Sequence, residues 1–268
     1  MNYNNPLISI IITSFNCELN IENTINSAIN QSYKNKEIII IDDNSSDRTF
    51  EICNKFRDLS FIKIIKNSFV DKKRDYNGVN INAGYSSRNL GIKYAKGDWI
   101  SFIDGGDFIH PSKIELQLKV AQKYKILHLV SDYCTFDRRE VFFKKSIPID
   151  FNINNIKILS TEDLIKVLNR QKDLFARLPS LIRRKIPLKI RQSYKLRRIM
   201  YPLPMEPFPG CGPSVFFHKS IKTRYKFLQD RRWASAKGRG ADRDFNFNVL
   251  EKYRSSVMME IPLYYWGI

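Results

Sequence analysis

At 268 residues the chain is long enough for one large domain, or a domain with an appendage, around a sizeable core. A formal charge of +18 implies an anionic partner: nucleic acid, an acidic membrane surface or anionic substrates. Cys17, Cys53, Cys134 and Cys211 lie far apart without a CxxC pair, which excludes a disulfide frame and a cysteine zinc site, and no apolar run reaches membrane-spanning length.

In chain order, Leu7 to Thr13 reads as a buried strand from its β-branched content. It runs into Ser14, Phe15 and Asn16, a polar edge with one aromatic ring. Ile21, Ile25, Ala28 and Ile29 recur at helical spacing and predict a crossover helix ending near Gln31. Glu37 to Ile41 is the second strand, stopping on Asp42 and Asp43. Ser46 or Asp47 is placed to cap a helix from Thr49 to Phe56. Phe61 to Lys66 is a third strand, Asn67 to Tyr85 a polar loop, and Ser86 or Ser87 the cap of a helix through Ala95 that Gly97 closes. Trp99 to Ile103 is an apolar strand that ends on Asp104-Gly105-Gly106-Asp107. A helix from Pro111 to about Tyr124 and a strand from Ile126 to Val130 follow.

Strands alternating with helices predict an α/β fold, a mostly parallel doubly wound sheet flanked by helices. Such a sheet collects Phe15, Asp42, Asp43, Asp104 and Asp107 along the carboxyl edge, where open sheets bind ligands. Carboxylates there, with glycines that admit a ligand to the backbone, suit a divalent cation holding a diphosphate. An acidic turn after a strand is the plain alternative. There is no GxGxxG and no GxxxxGK[ST], which disfavours a dinucleotide fold or a P-loop NTPase.

The second half is less regular. Asp132 to Ser160 holds short strand-like pieces at Val141 to Phe143 and Ile147 to Phe151, and Ser160 to Asp163 caps a helix through Leu168. From Lys166 to Arg198 twelve Lys and Arg residues are opposed only by Asp173 and interleaved with Leu174, Phe175, Leu178, Leu181, Ile182 and Ile190. The stretch suits an anionic membrane surface, a phosphorylated or acidic glycan, or a solvated helical insertion that Pro179 and Pro187 break into pieces. Tyr201 to Pro213 is a shaped Pro/Gly loop. Val215 to Phe217 is apolar and leads to His218, a candidate metal ligand set against ordinary packing. Gly238 to Phe245 opens a helix carrying Asp242 and Asp244, and Val257 to Trp266 closes the chain as a strand.

Four ordered segments resemble the successive signatures of family 2 glycosyltransferases: Pro6 to Asn16, Ile39 to Thr49, Ser87-Arg88-Asn89-Leu90-Gly91, and Phe102 to Pro111. The resemblance covers residues 6–125 closely and resumes near 208–253. It implies a GT-A (Rossmann-like) fold, with residues 1–130 as the nucleotide-sugar half. Residues 131–268 form the acceptor half, including the basic insertion at about 160–200. It further implies inverting transfer from a nucleotide-sugar, usually a UDP-sugar, to a glycan or lipid-linked acceptor in surface polysaccharide or lipopolysaccharide synthesis. By the same carry-over Thr13, Phe15, Asn16, Asp42 or Asp43, Arg88, Asn89 and Asp104 surround the nucleotide. Asp242 matches the acid that serves as catalytic base, with a helix cap as its alternative role. A helix N-terminus would hold that carboxylate ionised.

The chain departs from the family pattern at two places. The usual Asp-x-Asp-Asp is Asp104-Gly105-Gly106-Asp107, and Ala241 stands where a glutamate is usual. The resemblance brings Mn2+ or Mg2+ as cofactor on Asp104 and Asp107, and the altered motif leaves metal use open. The N-terminal residues do not form a signal peptide, so the expected location is the cytoplasm, at most peripheral on the inner membrane face. Two alternatives stand: a catalytically weak or inactive nucleotide-sugar-binding homologue, and a basic nucleic-acid-binding protein. The second lacks zinc-finger, RRM and helix-turn-helix signals.

Overall fold

The structure, a computed structural model, describes residues 5–68, 75–76, 79–80, 84–137, 155–170, 178–187, 190, 208–210, 212–226, 231–233 and 240–268. The expected pieces at 141–143 and 147–151, Cys211 and much of the basic stretch lie outside these residues.

Four strands make the parallel half of the sheet: β1 (Ile8–Ser14), β2 (Lys36–Asp42), β3 (Ile62–Lys66) and β6 (Trp99–Asp104). They lie in the order β3-β2-β1-β6 with every pair parallel. The chain therefore builds outward from β1 through β2 to β3, then returns to add β6 on the other side of β1. The order of strand addition reverses between β1 and β6, and a crevice opens there beyond the strand ends. The register closes it: Thr13 lies opposite Asp104, and Ser14 opposite Asp42.

Period-two alternation sorts the isoleucines. Ile8, Ile10, Ile12, Ile38 and Ile40 face one core with the helices α1 (Ile21–Ile29), α2 (Thr49–Asn54) and α4 (Lys113–Tyr124). Ile11, Ile39 and Ile41 face the other, with α3 (Tyr85–Tyr94), α5 (Thr161–Arg170) and α7 (Ala241–Tyr253). Each buried isoleucine contributes about 1.5–3 kcal/mol, so both faces drive the three-layer arrangement.

The rest of the sheet is mixed. Strand β10 (Phe216–His218) enters antiparallel between β6 and β8 (His128–Phe136), with Trp99 and Phe216 stacked 4.8 Å apart. The final strand β11 (Ser256–Gly267) pairs parallel with β8 and antiparallel with β7 (Phe108–Ile109) and β9 (Ile158–Leu159). His128 fastens this half: its ring nitrogens lie 3.0 Å from Ser256 Oγ and 3.0 Å from Asn246 Oδ1, and burial pushes its pKa down to about 4. Two-residue strands β4 (Asp75–Tyr76) and β5 (Val79–Asn80) form a small hairpin within the stretch expected as loop. A short helix α6 (Ser180–Lys185) lies in the basic stretch.

Several local expectations shift by a turn. The strand expected at 126–130 runs on to Phe136, because Tyr133 to Thr135 pair with Tyr264 to Trp266. Helix α3 begins before Ser86 and Ser87, on Gly84, whose φ of +65° no β-carbon tolerates well. The cap position of α2 is Arg48, without a side-chain capping bond, and Asp47 just before it accepts from the Thr49 N–H at 3.0 Å through Oδ1. Ser160 and Asp163 cap each other at the start of α5. Among the described residues no helix is long and apolar enough to cross a membrane.

Candidate active site

Parallel register delivers Thr13 and Asp104 side by side at the crevice, and the Thr13 hydroxyl donates to Asp104 Oδ1 at 3.0 Å. Arg88 comes from the first turn and a half of α3, on the face opposite α1, and only 2% of it is exposed. Its Nη2 lies 2.6 Å from Asp104 Oδ1 and 3.4 Å from Asp242 Oδ1, so one guanidinium nitrogen joins the two acids. Its ring neighbours are Tyr225, 5.2 Å from the guanidinium, and Phe102 at 6.0 Å. Burial disfavours this charge. The two carboxylates outweigh burial and hold its pKa above the ordinary arginine range.

Asp242 sits in the first turn of α7. The cap position is Gly240, and the helix has no side-chain capping bond, so Asp242 is not the cap. Burial pushes its carboxyl pKa up; Arg88 pulls it down, Asp104 pushes it up again and Arg231 pulls it down. The expected helix-end stabilisation of the ionised form is therefore outweighed by desolvation. Gly212 has to be glycine here, since a β-carbon on it would come within 2.5 Å of Asp242 Cβ.

The loops after β1 and β2 are stitched together. Asn16, at φ +46°, accepts from the Ser46 N–H at 2.8 Å and donates its own N–H to Ser45 Oγ at 3.1 Å. Asp42 is fully buried and accepts from the Ser45 hydroxyl at 2.5 Å, while Asp43 Oδ1 accepts from Asn67 Nδ2 at 2.8 Å. Phe15 stands at the same edge with 39% of its surface exposed.

Asn89 and Asp107, which the resemblance puts at the ligand, and His218, a candidate metal ligand set against packing, have their side chains engaged within the fold. Asn89 gives its Nδ2 to the Tyr225 carbonyl at 2.8 Å and accepts from the Tyr225 N–H at 3.0 Å, so it positions Tyr225. Asp107 is 1% exposed, its Oδ2 accepting from the Tyr264 hydroxyl at 2.9 Å and its Oδ1 from the Gly267 N–H at 3.1 Å. Tyr264 also accepts from the Asp104 N–H at 3.0 Å, which makes Asp107 a brace between the Asp104 turn and β11. His218 pairs with Trp99 at the start of β6, about 16 Å of strand away from Asp104. There it packs against the Trp99 ring at 5.1 Å and bonds Ser220 Oγ at 2.8 Å, with its pKa lowered by burial.

The donors at this edge fit a divalent metal poorly. Gly106 offers no side chain, Asp107 has both oxygens engaged, and Asp104 is shared with Arg88 and Thr13. Among the described residues no group of three or more His, Cys, Asp or Glu side chains could hold a metal.

Sequence reasoning did not single out Tyr225 or Arg231, and it read Tyr264 only as part of an aromatic run that lines an acceptor site or finishes the core. Tyr225 and Arg231 lie in segments without periodicity, and Tyr264 sits in a strand whose apolar run hides its hydroxyl's partners. Asp244 is likewise structural, accepting from the Arg232 N–H at 2.6 Å and the Trp233 N–H at 2.8 Å.

A mixed sheet with a switch-point crevice, an acid from the central strand edge and a second acid from a late helix define the GT-A class of fold. The solved structure of residues 1–349 of Staphylococcus aureus TarS superposes on 97% of this chain and 60% of that one, with a TM-score of 0.58 at 15% identity. The sequence model of Glycosyl transferase family 2 matches residues 9–186, and the chain belongs to that family. It is similar to the Escherichia coli UDP-Glc:alpha-D-GlcNAc-diphosphoundecaprenol beta-1,3-glucosyltransferase WfaP, 39% identical over 127 residues, 47% of this chain and 46% of that protein. The E. coli enzyme WfgD, described in the same words, is 30% identical over 150 residues, 56% of this chain and 54% of that protein. The chain thus matches about half the length of these curated relatives.

Proposed function

We propose that the chain transfers a sugar from a UDP-sugar to a glycan or lipid-linked acceptor, with inversion at the anomeric carbon. The observation that carries this reading is the single Arg88 guanidinium joining Asp104, at the donor edge, to Asp242, on the acceptor side. In one displacement Asp242 takes the proton of the acceptor hydroxyl while that oxygen attacks the anomeric carbon. The bond from that carbon to the diphosphate breaks and UDP leaves with the electron pair. A raised carboxyl pKa makes Asp242 a stronger base than a surface aspartate, and Arg88 keeps enough of it ionised to act.

Phe15 stacks on the base, and Asp42 or Asp43 receives a base N–H. The choice of UDP is supported by the structural neighbours solved with UDP and with UDP-GlcNAc. A lipid-linked acceptor is supported by the substrates in the names of the E. coli relatives. Leu181, Ile182 and Ile190 are exposed in the basic stretch, as a segment resting on the inner face of an anionic membrane would have them.

The test is UDP release from a panel of UDP-sugars with polyprenyl-diphosphate-linked sugar acceptors. Phe15→Ala should weaken UDP about tenfold or more, since base stacking is worth about 1–3 kcal/mol. A protein that neither binds UDP nor consumes any donor refutes the reading. One that binds UDP but stays inert despite every acceptor favours the inactive homologue, to which Ala241 in place of glutamate points.

A further inference from the structure

The transferase reading assigns the donor; the chemistry that neutralises its diphosphate is a separate matter, and it rests on that reading. Of the acids that would anchor a cation, Asp107 has both oxygens on Tyr264 and Gly267, and Asp104 has its Oδ1 on Arg88 and Thr13, with Gly106 between them. We infer that the chain takes the diphosphate of its donor without a divalent cation, on a pocket formed by the buried guanidiniums of Arg88 and Arg231 and the Tyr225 hydroxyl.

Arg88 and Arg231 are each 2% exposed, and Arg231 lies within electrostatic reach of Asp242 and Arg88. Its Nε donates to the Lys226 carbonyl at 2.8 Å, which ties the guanidinium to the segment carrying Tyr225. Arginine forks match phosphate oxygens better than any other side chain, and both ion pairs of Arg88 to the site acids fall on one nitrogen, Nη2.

Tyr225 supplies the second, independent sign of a ligand. It is 1% exposed, stacked flat on Phe245 at 4.3 Å, and held by the paired bonds from Asn89. Its hydroxyl is buried and has no hydrogen-bond partner among the described residues. A rigidly held, buried donor on the ring that packs against the Arg88 guanidinium is completed by an anionic oxygen.

Titration calorimetry of the full chain with UDP, first in EDTA and then with excess Mn2+, decides this without any variant. The two Kd values should agree within about threefold. In EDTA, Arg231→Gln and Tyr225→Phe should each weaken UDP by about tenfold while keeping the native near-ultraviolet dichroism. Tightening of wild-type binding by more than about tenfold on adding Mn2+ overturns the inference and leaves the transferase reading standing. Undiminished UDP affinity in both folded variants overturns it as well. Absence of UDP binding under both conditions overturns it together with the donor assignment.

Discussion

Replacing Arg88 with methionine keeps the side-chain length and removes the charge that Asp104 and Asp242 share. At 2.6 Å and 3.4 Å the two contacts are close, but Asp104 keeps 34% of its side chain exposed, so water screens that pair and its share is discounted. Breaking a buried pair by deleting one partner costs about 3–5 kcal/mol, and the screening of Asp104 places this variant near the lower figure. The cation–π contact with Tyr225, at 5.2 Å between two buried groups, adds about 2 kcal/mol. The sign with pH follows from the carboxylates left behind. Without Arg88 the Asp242 pKa rises further, so the protonated form is favoured by folding and its ionisation destabilises. The loss of stability is greatest at neutral pH and shrinks as pH falls through the raised Asp242 pKa. Urea unfolding of Arg88→Met and wild type at neutral and at mildly acidic pH measures both quantities. A difference below about 1 kcal/mol, or one that does not change with pH, refutes the shared-counter-ion argument.

Asp242→Asn should lower kcat by about two to four orders of magnitude, not weaken UDP binding and not lower Tm, because it removes a carboxylate that burial disfavours. In the wild type the acid limb of kcat/KM should fall at a pH above the ordinary aspartate range, read from initial rates across a buffer series. Tyr264→Phe strips a donor from buried Asp107 and an acceptor from the Asp104 N–H, costing about 1–3 kcal/mol in urea unfolding. His128 is buried neutral with its pKa lowered to about 4 from 6.5, so its contribution is present above 6.5 and lost as pH falls toward 4. His128→Gln should flatten that part of the stability-versus-pH curve.

Much of the fold was legible in the sequence because its strands are runs of isoleucine that end on polar residues. Hydrophobic run length and β-branching specify a buried parallel strand locally, and the stops at Ser14, Asp42 and Asp104 marked the ligand edge without any tertiary information. The resemblance to family 2 glycosyltransferases likewise named Asp104, Arg88 and Asp242 among the expected site residues. Residues without a periodic signal were opaque. Nothing local distinguishes the Asp107 that braces β11 from one that would hold a metal, nor the Asn89 that locks Tyr225 from one that would touch a nucleotide.

What the linear order of residues determined, then, is the parallel half of the sheet, its carboxyl edge and the acids that stop there, since these depend on neighbours a few positions apart. Tertiary structure alone decided which of those acids have oxygens already engaged. Tyr264 meets Asp107, Tyr225 meets Arg88, and Asp242 meets Gly212 across more than a score of intervening residues. Hydrogen bonds and ion pairs between such distant residues are settled by how the layers pack, and packing is written nowhere in the local pattern.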